Sequence, residues 1–385
     1  MRILHLFSNW KWTGPAEPAL NLAWMSKRRH QVVFAGGAAP PHQPNHVRLK
    51  AEERHVEFWD GLELSKHFKV GANWTDVRRL TKLLQREKFD IVHCHLPNDH
   101  LVGSIAVRRA KSDARLIRTC YEGDGPEDLF RVRAAFRVAT DGLITISEQG
   151  KQNALEGFRL RDERIEVVPG GVDLERFDAE RFDRAAARAE LELPEYAFVV
   201  GIVARIQPRR RFDVFLEAVK LLQDRLPNLR VLVVGRGTHM EEVAVQPVER
   251  LGLQNVVRFP GYRVGEYYVK LLRAFDAGVY LVPGTDGSCR TVREMMAMGI
   301  PVVAAERGAL PEIIENEKTG LVLEDTPENL ANALHALSQD ADRRNSLGTA
   351  AREKARAEYS LEQQVSRVES FYEEIRGLKP RRGRQ

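Results

Sequence analysis

Short apolar runs alternate with segments of helical period along most of the chain. In the first half the runs are Arg2–Phe7, Gln31–Ala35, Val56–Trp59, Phe89–His93, Arg115–Thr119, Gly142–Ile146 and Ile165–Val168. Helix-period segments lie between several of them: Pro18–Arg28, Thr75–Glu87, Leu101–Arg109, Glu127–Ala139 and Glu148–Glu156. Such alternation predicts a parallel sheet with helices on both faces. The pattern breaks at the turn Pro169-Gly170-Gly171 and the charged stretch Val172–Glu192, closed by Pro194. It then restarts. Strands are predicted at Ala197–Val203, Leu229–Val234, Asn255–Phe259, Gly278–Val282, Ile300–Ala304 and Gly320–Leu323. Helices are predicted at Phe212–Arg225, Met240–Leu251, Tyr267–Ala274, Thr291–Met298, Pro327–Ser338, Asp340–Ala357 and Leu361–Ile375.

The expected architecture is α/β, with two Rossmann-like, doubly wound parallel-sheet domains facing a central cleft. A first domain is expected over 1–178, a linker over 179–196 and a second domain over 197–358. A helix over 359–376 packs back on the first domain, and a basic tail, 377–385, follows. The length of 385 residues fits this, because one core rarely serves so long a chain.

Composition adds a few exclusions. No apolar run is long enough to span a bilayer. The opening MRILHLFSNW reads as a buried strand, not a signal peptide. Three scattered cysteines, Cys94, Cys120 and Cys289, point away from a disulfide framework or a zinc site and toward a reducing, cytoplasmic setting. The net charge is +5, and the acid-free stretch 376–385, with Arg376, Lys379, Arg381, Arg382 and Arg384, accounts for all of it. That tail reads either as a solvated end or as a peripheral contact with anionic lipid on the inner face of the membrane. Neither an aromatic RNP strand nor a basic recognition helix is visible, so nucleic acid is not an expected partner.

The most informative stretch is VPGTDGSCRTVREMMAMGIPVVA, Val282–Ala304. It reads as the end of one strand, a polar loop, a helix and a second strand. Ligands of open parallel sheets sit at such strand C-termini. Four other polar outliers share that edge: Arg205, Gly235-Arg236-Gly237, Gly261-Tyr262-Arg263 and Arg307-Gly308. The glycines permit close backbone approach. Arg205 and the run Arg209-Arg210-Arg211 precede a helix start at Phe212, a setting suited to phosphate. Asp286 and Glu294 are poor neighbours for phosphate but good acceptors for sugar or ribose hydroxyls. A diphosphate flanked by hydroxyl-bearing rings satisfies both signs, which is a nucleoside diphosphate sugar. A solvated arginine turn is the plainer reading.

Other candidates are less specific. The stretch Asn9–Glu17, with Gly14, Pro15 and Glu17, has no GxGxxG, so NAD and FAD are disfavoured. His93 and His95 share one face of a strand, but there is no helical His-x3-His and no acid at ligand spacing, so hydrogen bonds to hydroxyl or backbone groups are expected there rather than a metal. Ser147 reads as a helix N-cap. Cys289 has no visible base beside it and reads as packing. Arg131, Arg133 and Arg137 with Phe130 and Phe136 read as a solvated helix face or a membrane-surface face.

These residues resemble a known family. From Leu143 to Tyr372 the chain is similar to the retaining GT-B glycosyltransferases of the large family 4 grouping (glycosyl transferases group 1). LITISEQGKQNAL followed by RIEVVPGGVDLERF resembles that family's inter-domain run, with Gly170 where Asn is usual. GIVARIQPRRRFDVFLEAV resembles its phosphate motif, with Arg205 matched and Arg210 where Lys is usual. VLVVGRGTHMEEV resembles its "VGdGp" turn. Asp286 and Glu294 keep its E-x7-E spacing, with Asp for the first acid and Gly287-Ser288-Cys289 for "GFG".

The resemblance implies roles. Glu294 holds the ribose, and Asp286 contacts the transferred sugar. Backbone amides from Ser288 through Cys289 and Arg290 to Thr291 hold the distal phosphate, and Arg205 and Arg210 neutralise the leaving diphosphate. The Gly235–Gly237 turn, with Arg236, lines the donor, and Arg263 meets the base. On the acceptor side stand Gly14, Pro15, Glu17, His93, His95, Tyr121 and Glu122, with Tyr121-Glu122 near where many relatives carry His. It also implies transfer with retention to a glycan or lipid-linked hydroxyl, as in lipopolysaccharide-type synthesis, with no cofactor and no metal. A nucleotide-sugar 2-epimerase or a non-catalytic nucleotide-sugar-binding subunit would share this architecture.

Overall fold

The structure, a computed structural model, describes residues 1–158, 160–282 and 289–380. It divides into two units. One comprises Met1–Gly171 and the chain from Leu361, the other 172–282 and 289–360.

Among the described residues, the first unit has seven parallel strands: β1 (Arg2–Phe7), β2 (Gln31–Gly36), β3 (Glu57–Phe58), β4 (Ile91–Cys94), β5 (Arg115–Thr119), β6 (Thr140–Thr145) and β7 (Ile165–Val167). Their order is β3-β2-β1-β4-β5-β6-β7. Its helices are α1 (Ala16–Ser26), α2 (His46–Glu53), α3 (Val70–Arg86), α4 (Pro97–Ala110), α5 (Phe130–Val138) and α6 (Glu148–Phe158). β1 is buried on both faces, which is why its sequence is nearly all apolar. On one face Ile3 and Phe7 pack with Phe371, Tyr372 and Ile375 of the last helix, Leu361–Gly377. On the other, Leu4 and Leu6 pack with Leu80 and Val102 of α3 and α4. Full burial of each such side chain is worth about 1.5–3 kcal/mol.

The second unit has six parallel strands among the described residues: β8 (Phe198–Val203), β9 (Leu229–Val234), β10 (Val257–Gly261), β11 (Ala277–Tyr280), β12 (Val302–Ala305) and β13 (Gly320–Leu323), in the order β10-β9-β8-β11-β12-β13. Its helices are α7 (Arg184–Glu190), α8 (Phe212–Gln223), α9 (Gln246–Arg250), α10 (Gly265–Arg273), α11 (Arg290–Ala297), α12 (Leu310–Ile313), α13 (Pro327–Gln339) and α14 (Ala341–Glu358). The helix Leu361–Gly377 is α15.

Three details depart from the sequence reading. The single helix expected over Met240–Leu251 is a π-helical turn, Glu241–Val245, running into α9. Pro247 causes this, because it lacks an N–H and its ring crowds the carbonyl one turn back. The stretch 179–196 is tied into the second unit. Arg188 is buried, pairs with Asp276 at 2.5 Å and donates to the carbonyls of Ala274, Glu195 and Ala197. Finally, α2 was unforeseen. Its N-cap is Asn45, whose side chain accepts from the Arg48 amide at 3.1 Å.

Candidate active site

In the second sheet β8 and β11 are neighbours, and the connections after them leave toward opposite edges. A crevice opens at such a switch point, beyond the strand C-termini. The residues after β8 and β11 line it. Arg205 is exposed there. Arg210 ends a short 3-10 turn, and its Nη1 donates to the carbonyl of Val282 at 2.6 Å. Its Nε is buried and has no hydrogen-bond partner among the described residues.

Helices α8 and α11 begin at this crevice in the same unusual way. Each is entered through a non-glycine residue in the left-handed region, Arg211 (φ 57°) and Cys289 (φ 48°). Neither helix start carries a side-chain cap among the described residues. First-turn amides without a side-chain cap, at the positive end of a helix dipole, are suited to an anion. Backbone held in a sparsely populated region commonly accompanies such sites. The arginine run divides by role. Arg211 and Arg307 both pair with the buried Asp325, at 3.1 and 2.8 Å, which fixes the entry to α8. Arg205 and Arg210 remain on the crevice.

Glu294 lies one turn into α11 and is 5% exposed. Tyr268 donates its phenolic hydrogen to Glu294 Oε2 at 2.7 Å, and Arg290 Nε lies 3.3 Å from Oε1. Burial and the adjacent carboxylate push the Tyr268 phenol well above its ordinary value, so it stays a donor. Sequence reasoning missed Tyr268, although its place on the buried stripe of α10 was a usable signal. Thr291 is half-buried in the first turn of α11. Cys289 is fully buried. Asp286, Gly287 and Ser288 lie outside the described residues.

The glycines at 235 and 237 have a reason besides ligand approach. A Cβ on Gly235 would lie 2.0 Å from the Ala204 carbonyl oxygen, and one on Gly237 would lie 1.8 Å from that of Ile206. The turns after β8 and β9 press together there, joined by the Ile206 amide donating to the Arg236 carbonyl at 3.1 Å. Arg236 stacks over the Tyr262 ring at 4.3 Å. Tyr262 and the exposed Arg263 border a hollow of about 360 Å³ between α7 and α10.

The first sheet has its switch point between β1 and β4. Gly14, Pro15 and Glu17 follow β1 there, all half-buried, with Pro15 immediately before α1. The Asp99 carboxylate joins the two strand ends by accepting from the amides of Ser8, His95 and Leu96 at 2.7–2.9 Å. Desolvation raises its pKa to about 6, against the pull of Arg118 and these amides.

His93, His95 and Tyr121, expected to face an acceptor, are turned inward. All three are buried. The register sets His93 beside His5, and His5 Nδ1 shares a hydrogen bond of 2.9 Å with His95 Nε2. His95 Nδ1 meets the Tyr121 hydroxyl at 2.8 Å. His93 lies between Tyr372 and Thr119, at 2.5 and 2.7 Å. The physical reason is β4 itself, which is covered on both faces, so its polar side chains find buried partners. Desolvation lowers His5 to about 3 and holds His93 and His95 well below the usual histidine range, so the rings are neutral near pH 7. Glu122 is half-buried, and Cys120 Sγ donates to its Oε2 at 2.9 Å.

His5, His93 and His95 bring one ring nitrogen each within 4.8 Å of the others, a spacing a metal ion could use. His5 and His93 each stack on His95 with interplanar angles of 14° and 19°. His5 and His93 are tilted by 30° to each other; the nitrogens of His93 and His95 have hydrogen-bond partners, and His5 Nε2 has none among the described residues.

Comparison with known proteins identifies the family. The family model described as Glycosyl transferases group 1 matches residues 183–354, and that described as Glycosyltransferase Family 4 matches residues 19–176. A D-inositol 3-phosphate glycosyltransferase of Salinispora arenicola is 31% identical over 317 residues, covering 74% of this chain and 69% of its own length. One of Streptomyces bingchenggensis is 32% identical over 286 residues, covering 68% and 62%. For several relatives of this name the alignment spans only about three fifths of their length, 58% in that of Corynebacterium jeikeium. Among solved structures, Anabaena HepE in complex with UDP superposes with a TM-score of 0.81 at 19% identity, covering 96% of this chain and 99% of its own. A glycosyltransferase of Rickettsia africae superposes with a TM-score of 0.84 at 17% identity, covering 98% and 99%. The two parallel sheets, the arginine-lined switch point and these matches lead to one conclusion: the chain belongs to the GT-B glycosyltransferases of the family 4 grouping.

Proposed function

We propose that the chain transfers a sugar from a nucleoside diphosphate sugar to a hydroxyl acceptor, with retention at the anomeric carbon and without a metal ion. The observation that carries this is the start of α8, which lacks a side-chain cap among the described residues, beside Arg205 and Arg210 at the switch point of the second sheet. The leaving group is a diphosphate, so the main catalytic task is to stabilise growing negative charge. Preorganised amides and guanidinium groups do this without reorganising. The ribose hydroxyls donate to Glu294, which Tyr268 and Arg290 hold in place. UDP is the favoured carrier, since neighbouring structures are described in complex with UDP and UDP-glucose. Retention is attributed to a same-face substitution assisted by the departing phosphate. Two carboxylates about 5 Å apart, as retaining hydrolases use, are not assigned here.

For the acceptor we propose a glycan or lipid-linked hydroxyl. A second reading is a phosphorylated polyol, favoured by the relatives named for D-inositol 3-phosphate. The test is UDP release from a panel of UDP-sugars, with each acceptor class in turn and with chelator present. Proton NMR would then assign the anomer of the product. The proposal expects acceptor-dependent release that chelator leaves intact, and a product with the donor's anomeric configuration. Isomerised donor without acceptor would make the protein an epimerase. Tight donor binding without turnover on any acceptor would make it a binding subunit.

A further inference from the structure

At the C-terminal ends of β5, β6 and β7 the first unit forms a small cavity of about 20 Å³. Ligands of open parallel sheets meet the protein at such strand ends. Five buried apolar side chains wall the cavity: Leu22 of α1, Ile144, Ile146, Val168, and Val368 of α15. Its polar lining is Thr119, Tyr121 and Gln364. The two hydroxyls share hydrogen bonds with His93 and His95, so the inward histidines hold them in place. Gln364, in the first turn of α15, differs from them. Its Oε1 is buried and has no hydrogen-bond partner among the described residues. Gly171 leaves room for that amide, since a Cβ there would lie 2.8 Å from Oε1. Gly170 lines the cavity too and brings no side chain, where the family usually carries Asn.

The chemistry of this lining says what fits it. A buried acceptor without a partner is costly, so the occupant must bring a donor. The apolar walls ask for a methyl, and the volume suits one small group, since one water needs roughly 10–15 Å³. A bare methyl would bury the Gln364 oxygen unpaired, and a hydroxyl alone would leave the apolar walls without a partner. We infer that the cavity receives the acetamido group of an acceptor sugar. The methyl packs among Leu22, Ile144 and Val368, and the amide N–H donates to Gln364 Oε1. The Thr119 and Tyr121 hydroxyls stand within the same lining to meet the amide carbonyl. A side-chain amide pairs with a second amide whichever way its oxygen and nitrogen are placed. The inference rests on the transferase reading above and names the acceptor's class: a glycan that presents an N-acetylated amino sugar.

The test is saturation-transfer NMR on the full chain, with and without UDP. The probes are the methyl glycosides of N-acetylglucosamine and N-acetylgalactosamine, set against those of glucose and galactose. At least one acetamido glycoside should show its strongest transfer at the acetyl methyl, and its hydroxyl counterpart should bind about tenfold more weakly. Gln364→Leu and, separately, Gly170→Asn should each remove most of that preference, with UDP affinity and unfolding midpoint near wild type. Three results would overturn the inference: no transfer to the acetyl methyl of either probe, an acetamido preference that both variants keep, or an effect of both variants confined to UDP-N-acetylglucosamine against UDP-glucose, which would give the group to the donor. The wild-type comparison of probes decides the matter even where a variant fails to fold. Because the NMR needs no sugar transfer, an inactive protein that still selects acetamido glycosides would count against the transferase reading and not against the cavity. An active one that treats acetamido and hydroxyl acceptors alike would count against the cavity alone.

Discussion

After the strands of the six-stranded sheet, the polar residues that matter are arginines, Arg205 exposed and Arg210 half-buried. In the seven-stranded sheet they are histidines on and just after β1 and β4, and a tyrosine after β5, all folded inward. Both edges are switch points of the same kind, so topology alone does not decide which polar residues meet ligand. Partners do. Arg210 has a buried Nε with no partner among the described residues, whereas His93 and His95 bond to Tyr372, Thr119, His5 and Tyr121. The first pattern suits an anion still to arrive. The second is a hydrogen-bonded network within the core, in which His5 Nε2 alone of the ring nitrogens of His5, His93 and His95 has no partner among the described residues.

That contrast can be broken experimentally, and the largest effect belongs to Arg205 and Arg210. Arg205→Ala and Arg210→Ala should each lower turnover about 10²–10³-fold, measured as UDP release at saturating donor, with an unfolding midpoint near wild type. His95→Asn should instead lower the midpoint and leave donor affinity unchanged, by calorimetry on the folded fraction. Next is Gly237→Ala, which drives a Cβ into the Ile206 carbonyl. It should cost about 3 kcal/mol in denaturant unfolding.

The inward histidines give a pH signature of intermediate size. His5 has a folded pKa of about 3, below its ordinary 6.5. Its stabilising contribution is therefore complete above about pH 6.5 and is lost as pH falls toward about 3. Between about pH 7 and about pH 5 that loss is about 2 kcal/mol, and His93 and His95 act in the same direction. Asp99, raised to about 6, acts oppositely. Its contribution is present in acid and lost as pH rises through about 6, so it offsets part of the fall. Unfolding midpoints should drop on acidification, and His5→Gln should flatten that slope. The smallest effect is Tyr268→Phe. Removing one hydrogen bond to Glu294 should raise KM for donor about five- to tenfold with little change in kcat.

Much of this was legible in the sequence, for a physical reason. Strands buried on both faces read as continuous apolar runs, and helices with one wet face read at their own period. So β1, β8 and β11 and the residues after them could be placed, and with them Arg205, Arg210 and Glu294. What could not be read depends on contacts distant in sequence. Tyr268 meets Glu294 across 26 residues, and His93 meets Tyr372 across 279. The charged stretch around Arg188 looked like a linker because its partner, Asp276, is 88 residues away. The inward turn of His95 was hidden because a strand's period gives the face but not what covers it. Gly237 was read as making room for a ligand, but its nearest constraint is the backbone of a neighbouring turn.

In the proposed donor site, the edge of the second sheet recognises a diphosphate through Arg205, Arg210 and the starts of α8 and α11. Titration calorimetry of UDP against uridine, in chelator, tests it directly. UDP should bind at least about a hundredfold tighter than uridine, and Arg205→Ala with Arg210→Ala should remove most of that difference. Equal affinity for the two ligands, or a UDP preference unchanged in the double variant, would contradict it.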